Sequence, residues 1–169
     1  MKKLLLAFLF LSSTLFASMY DIDPVHSKVS FKVKHLMITN VYGTFSKYDA
    51  TIDYDEKTKK LKTLMAKVDV NSISTENVKR DKHLRSADFF DASKFPSISF
   101  ALISISDDEA VGELTIKGIT KKVTFEFENN GIVKDPWGNT RLGLALEAKI
   151  SRKEFNLAWN KVLETGSVV

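Results

Sequence analysis

His26, His35 and His83 are the side chains of this 169-residue chain that could ligate a transition metal or move a proton near neutral pH, and there is no cysteine to join them. Their spacings fit no compact zinc pattern. Hydrogen-bonded structural histidines are therefore the plainer reading, and neither a metal nor a cofactor is expected. Asp88 and Asp91 flank Phe89-Phe90 and offer a carboxylate pair for general acid-base work, although carboxylates so spaced beside a helix end usually act as caps and turn formers. There is no Gly-x-Ser-x-Gly elbow, Ser-x-x-Lys pair, phosphate-cradling glycine loop or His-Glu-x-x-His helix. Catalytic residues are accordingly expected to be absent.

The segment from Arg80 to Phe90, RDKHLRSADFF, crowds Arg80, Lys82, His83 and Arg85 beside Leu84, Phe89 and Phe90 outside any strand pattern. Two uses fit it. One is a helix that plugs an end of a β structure, with Phe89 and Phe90 in the core and the cations solvated. The other is a lid whose cations hold the polar head of a ligand. Trp137, in a Pro/Gly loop, and Trp159, near a strand end, either cap the core or close the mouth of a cavity. Lys57, Lys59, Lys60 and Lys62 lack interleaved aromatics and sit beside Asp55 and Glu56, as at a solvated hairpin tip, so no nucleic-acid partner is expected.

The elements that must position these groups are nearly all strands. From Ser27 to His35, Val29, Phe31, Val33 and His35 alternate with Lys28, Ser30, Lys32 and Lys34, a period-two strand with one wet face. A second run carries Phe45 before an irregularity, then Tyr48, Ala50, Ile52 and Tyr54; a third carries Leu64, Ala66, Val68 and Val70. Between Asn71 and Pro96 the alternation stops, and Ser74, Thr75 and Asn77 offer N-caps for a single helix reaching about Ser86. It resumes with Ile98, Phe100 and Leu102, then Ala110, Gly112, Leu114 and Ile116, then Val123, Phe125 and Phe127. The short breaks at Asp107-Asp108-Glu109 and Lys117-Gly118 predict antiparallel hairpins. A turn at Asn129-Asn130-Gly131 is expected to lead through a loop containing Asp135-Pro136-Trp137-Gly138-Asn139 into Leu142, Leu144, Leu146, Ala148 and Ile150. Seven such strands with one helical insertion predict an all-β barrel or sandwich.

Lys2 and Lys3 precede an apolar run, and the 13 residues from Leu4 to Phe16 fall short of the ~20 that span a bilayer. Residues 1–17 read as an export signal cut after Ala17, leaving one domain over 18–169 without stable membrane insertion. Loss of Lys2 and Lys3 from the 25 basic residues leaves 23 against 21 acidic ones, a net charge of +2 that names no partner. Without cysteine, the fold must rest on packing and backbone hydrogen bonds, and a lipoprotein anchor and thiol redox chemistry are excluded.

Four ordered stretches carry a family resemblance: YDIDPVHSKVSFKVKHL (Tyr20 to Leu36), RDKHLRSADFFD (Arg80 to Asp91), GELTIKGITKKV (Gly112 to Val123) and DPWGNTRLG (Asp135 to Gly143). Together they resemble the YceI-like family of exported polyisoprenoid- or lipid-binding proteins across essentially the whole mature chain. The resemblance implies an eight-stranded antiparallel, lipocalin-like barrel around a long apolar ligand, a periplasmic location and often a homodimer. Two departures stand out. Asn156 occupies the usual glycine of a Phe-Gly-Leu motif, and the chain ends at Val169, where relatives continue through a last strand that is missing here. A complete gene product is expected to extend further.

An eight-stranded barrel has room for packed side chains or one slim ligand. The expected lining is Val29, Phe31, Val33, Phe45, Phe100, Leu114, Phe125, Phe127 and Leu144, with His83, Arg85, Phe89, Phe90, Trp137 and Trp159 around the entrance and head group. The expected function is a periplasmic carrier of a long-chain isoprenoid or related lipid, a fatty acyl amide included. Two rivals remain: a lipid-modifying enzyme, in which His83, Asp88 and Asp91 would converge, and a filled barrel acting as a structural or stress-response interaction protein that binds no ligand.

Overall fold

The computed structural model describes residues 18–35 and 38–159. The expected export signal, the His35 side chain, Leu36 and the features expected at Val169 lie outside them. Among the described residues, ten strands run in chain order: β1 (Ser18–Tyr20), β2 (Val29–His35), β3 (Thr39–Phe45), β4 (Tyr48–Asp55), β5 (Lys60–Asp69), β6 (Ile73–Ser74), β7 (Ser97–Ile105), β8 (Glu109–Ile116), β9 (Ile119–Lys134) and β10 (Thr140–Glu147). The helix α1 (Val78–Arg85) follows β6, and 3-10 turns cover Val70–Ser72 and Arg152–Phe155.

Seven strands form one antiparallel sheet in the order β1-β4-β5-β7-β8-β9-β10, and β2-β3-β6 form a second. Phe45 and Ile73 of the smaller sheet pack with Val68 of the larger, so the two curl around one apolar interior as a nearly closed, lipocalin-type barrel with one helix. The alternation read from the sequence dictates the inner face. Ile52 pairs with Leu64, Ala66 with Phe100, and Phe100 with Leu114, which sets apolar side chains in continuous inward rows.

The helix forms where its caps predict. The Asn77 side chain accepts the Arg80 N–H at 3.0 Å, and Ser86 ends the helix. Thr75, a rival cap in the sequence, instead donates its hydroxyl to the buried Asp81.

Three readings are corrected. Asn129-Asn130-Gly131 is no hairpin turn: β9 runs unbroken through it for 16 residues. Gly143 pairs with Gly131 and Leu144 with Asn129, leaving Asn130 as a bulge, and Gly131 takes φ +82. The actual turn is Asp135–Asn139, whose backbone N–Hs at Trp137 and Asn139 bond to the Asp135 carboxylate. The run containing Phe45 and Tyr48 belongs to two strands in different sheets, because the chain turns a corner at Ser46-Lys47. Val70 sits in a 3-10 turn beyond β5 rather than in the strand.

Candidate ligand site: the barrel interior and its plugged end

Two glycines shape the inner wall. Gly43 of β3 faces Phe31 of β2, and a Cβ there would meet the Phe31 ring at 2.2 Å. Gly112 of β8 holds the Phe100 ring in the same way, at 2.3 Å. Each ring occupies the space of a missing methyl group and so lies against the wall instead of projecting across the bore. Phe100 then meets Phe125 edge-on at 5.0 Å, and Phe31 meets Phe45 at 5.7 Å.

Sealing of the interior is uneven. Phe45, Leu114 and Phe127 are buried, whereas Val29, Phe31, Phe100, Phe125 and Leu144 are only half-buried, and Val33 is 44% exposed. These inward aromatic and aliphatic side chains pack against the buried clusters yet still touch solvent. Two shallow grooves of about 400 and 500 Å³ lie elsewhere, lined chiefly by outward residues such as Asp49, Thr51 and Lys67.

One end is closed by α1 and the segment after it. Phe90 points inward and meets Phe45 edge-on at 6.3 Å. Phe89 points the other way, into a cluster in which the His83 ring stands perpendicular to Trp159 at 4.6 Å and to Phe89 at 5.1 Å. Lys117, in the turn between β8 and β9, donates to the carbonyls of Ala87 and Asn156 and so ties plug, wall and C-terminal segment together. Asn156 has φ +54 and ψ +32. That left-handed geometry accounts for a glycine or asparagine at this place, since both adopt it at little cost.

The cations of this segment serve the plug. Arg80 donates to the hydroxyl and carbonyl of Thr75, and Arg85 donates to the carbonyl of Ile73 at 3.3 Å. His83 Nε2 lies 3.1 Å from Asp88 Oδ2, while the buried Asp91 accepts from Ser93 and pairs with Lys94. The three groups required by the enzyme alternative are thus not brought together. Among the described residues, no three metal-ligating side chains converge. Trp137 is 81% exposed at the tip of the β9–β10 hairpin and caps no core, because its loop is organised by Asp135 rather than by packing of the indole.

Sequence reasoning overlooked a clasp across the barrel. Arg141 Nε donates to Asp135 at 2.9 Å, and its Nη1 donates to Asp23 at 2.6 Å, 118 residues away in sequence. His26 Nδ1 lies 2.8 Å from the same Asp23 oxygen. The Asn139 amide first, and then backbone N–Hs and Arg141, hold the Asp135 carboxyl down at about 2. Asp23 is lowered chiefly by its hydrogen bond with His26. The only sequence signal was that these residues fall within the first and last of the four stretches quoted above.

A nearly closed antiparallel barrel with an apolar interior and one plugged end defines a lipocalin-type protein. Residues 20–169 match the YceI-like domain, and the chain belongs to the YceI-like family. Protein YceI of Salmonella newport is 39% identical over 168 residues, covering 93% of this chain and 88% of the relative. A UPF0312 protein of Staphylococcus aureus strain USA300 is 37% identical over 151 residues, covering 89% and 88%. The crystal structure of the Campylobacter jejuni YceI protein superposes with a TM-score of 0.66 at 37% identity, over 81% of this chain and 83% of that one. Burkholderia cenocepacia BcnA does so with 0.66 at 25% identity, over 80% and 84%.

Proposed function

We propose that this protein sequesters one long-chain isoprenoid or related lipid, such as a fatty acyl amide, in the barrel interior and carries it through the periplasm after export. The observation that carries this reading is the half-buried state of inward Phe31, Phe100, Phe125 and Leu144. In a filled barrel these side chains would be sealed. Membership of the YceI-like family supports the same reading.

Magnitudes set the ligand class. Each buried methylene contributes about 0.8 kcal/mol, whereas association costs roughly 4 to 15 kcal/mol. A chain of ~10 methylenes is close to balance, and ~20 or more leave useful affinity. A terminal methylene discriminates by only ~1 to 3 kcal/mol, so the site is expected to accept related chains. Native mass spectrometry of protein purified from its own host should show an added lipid mass that organic extraction removes. Absence of such a mass, together with no uptake of octaprenyl alcohol by the stripped protein, would overturn the reading.

A further inference from the structure

The hairpin of β8 and β9 turns through Lys117 and Gly118, both at positive φ, and this two-residue turn fixes the register of the pair. Residues directly opposite each other share a face of the sheet. Thr115 and Thr120 pair with their hydroxyls 2.8 Å apart on the outer face, and Glu113 faces Lys122 there too. The intervening pairs face inward: Ile116 with Ile119, Leu114 with Lys121, Gly112 with Val123, Ala110 with Phe125. Leu114 is one of the buried core residues at this end, packed in a cluster with Phe155 and Leu157. Its cross-strand partner is a lysine.

Lys121 therefore interrupts an apolar row that runs from Ile119 through Val123 and Phe125 to Phe127. Its position along β9 explains why it is tolerated. β10 pairs with β9 only from Glu126 onward, so on that side the stretch 119–125 has no strand neighbour among the described residues. Ile119, Val123 and Phe125 of that stretch pack against the cluster of Phe155 and Leu157, whereas Lys121 in the same row is exposed to solvent. No hydrogen bond or ion pair engages it among the described residues, while its neighbours at the same end, Arg80, Arg85 and Lys117, all donate to the protein itself.

Exposed to solvent, the ammonium is hydrated and costs little. Filling the bore with an aliphatic chain displaces that water and leaves a cation against a medium of low polarity, which is unfavourable unless an anion meets it. A carboxylate or phosphate at the end of the bound chain would do so through a charge-assisted hydrogen bond. We propose that Lys121 is the head-group residue of the interior site and that the ligand it selects is a long-chain anion rather than a neutral lipid. This rests on the reading that the interior takes an aliphatic chain.

Binding of hexadecanol, hexadecanoate and hexadecyl phosphate to the lipid-stripped protein, at neutral pH and below the critical micelle concentration of each, tests both levels. The wild type should bind at least one of the two anions about tenfold or more tighter than the alcohol, and which anion leads identifies a carboxylate or a phosphate head. Lys121→Met should bind the alcohol as the wild type does and lose the anion advantage, and Lys121→Gln should behave likewise if the methionine variant folds poorly. An equal preference for anion and alcohol in the wild type, or an anion advantage that survives in both variants, would overturn the head-group assignment while leaving the carrier reading intact. Failure of the wild type to bind any of the three and also to take up octaprenyl alcohol would remove the carrier reading and this assignment with it, whereas uptake of octaprenyl alcohol without binding of either anion would overturn the head-group assignment alone.

Discussion

Asn156 shows how one backbone angle decides which residue types fit. Its left-handed conformation ends the turn Arg152–Phe155, its N–H bonds to the Lys153 carbonyl, and its own carbonyl receives Lys117. Replacement by a β-branched residue costs on the order of 1 to 2 kcal/mol at such an angle, whereas glycine costs little. Urea melts should therefore place Asn156→Val about 1 to 2 kcal/mol below the wild type and Asn156→Gly within a few tenths of it. The same scale governs the helix cap. Asn77→Ala removes the acceptor for the Arg80 N–H and should cost about 1 kcal/mol in the same assay.

Strand pairing decides how the inward side chains share the barrel interior. Gly112 lets Phe100 lie against β8, and an added side chain would collide with that ring and with the carbonyl of Ala101 at 2.7 Å. Gly112→Val should push the ring across the bore, lower stability by roughly 1 to 3 kcal/mol and weaken uptake of long-chain probes more than of short ones. Trimming the ring as well, in Gly112→Ala with Phe100→Leu, should restore part of that uptake. Titration with alcohols of increasing chain length reads both effects, and unchanged chain-length dependence in Gly112→Val would count against an open bore at this ring.

The acid limit of stability is a property of the whole molecule, because one of the carboxylates that set it belongs to a clasp joining distant parts of the chain. Asp55 is held at about 2, first by the Thr58 N–H and then by Lys62, and Asp135 lies at about 2 in the clasp that reaches Asp23. Both lie below their ordinary 3.8, so their stabilisation is present above about pH 4 and is lost as pH falls from there toward 2. Tyr20 behaves in the opposite sense. Burial first, and then Glu56, raise its hydroxyl from 10.0 to about 12, so its contribution is present below pH 10 and fades as pH climbs toward 12. Urea midpoints should be flat between pH 5 and 9 with respect to these groups and fall on both sides. Arg141→Met should make the acid limb shallower, since it removes one of the groups that lower Asp135 and Asp23.

Much of the architecture was legible because period-two alternation is a local property. Val29-Phe31-Val33, Ile98-Phe100-Leu102 and Leu142-Leu144-Leu146 read directly as inward rows, and the cap candidates Ser74, Thr75 and Asn77 placed the helix, of which the structure uses Asn77. The sequence also supplied the family motifs and the residue types that line the interior. It could not reveal that the Asn129 to Gly131 segment is a bulge, because its turn-like composition is equally suited to a glycine at positive φ inside a strand that a neighbour keeps paired. The Arg141–Asp23 clasp was hidden for a related reason: 118 residues separate its ends, and only folding brings them together. The fate of the charged groups was likewise settled in three dimensions. Arg85 looked available for a ligand and is occupied by the Ile73 carbonyl, while Lys121, given no role from the sequence, falls on the inner face because Leu114 stands opposite it. Residue type and period fix which faces are apolar; register and long-range hydrogen bonding decide which polar groups remain free to meet a ligand.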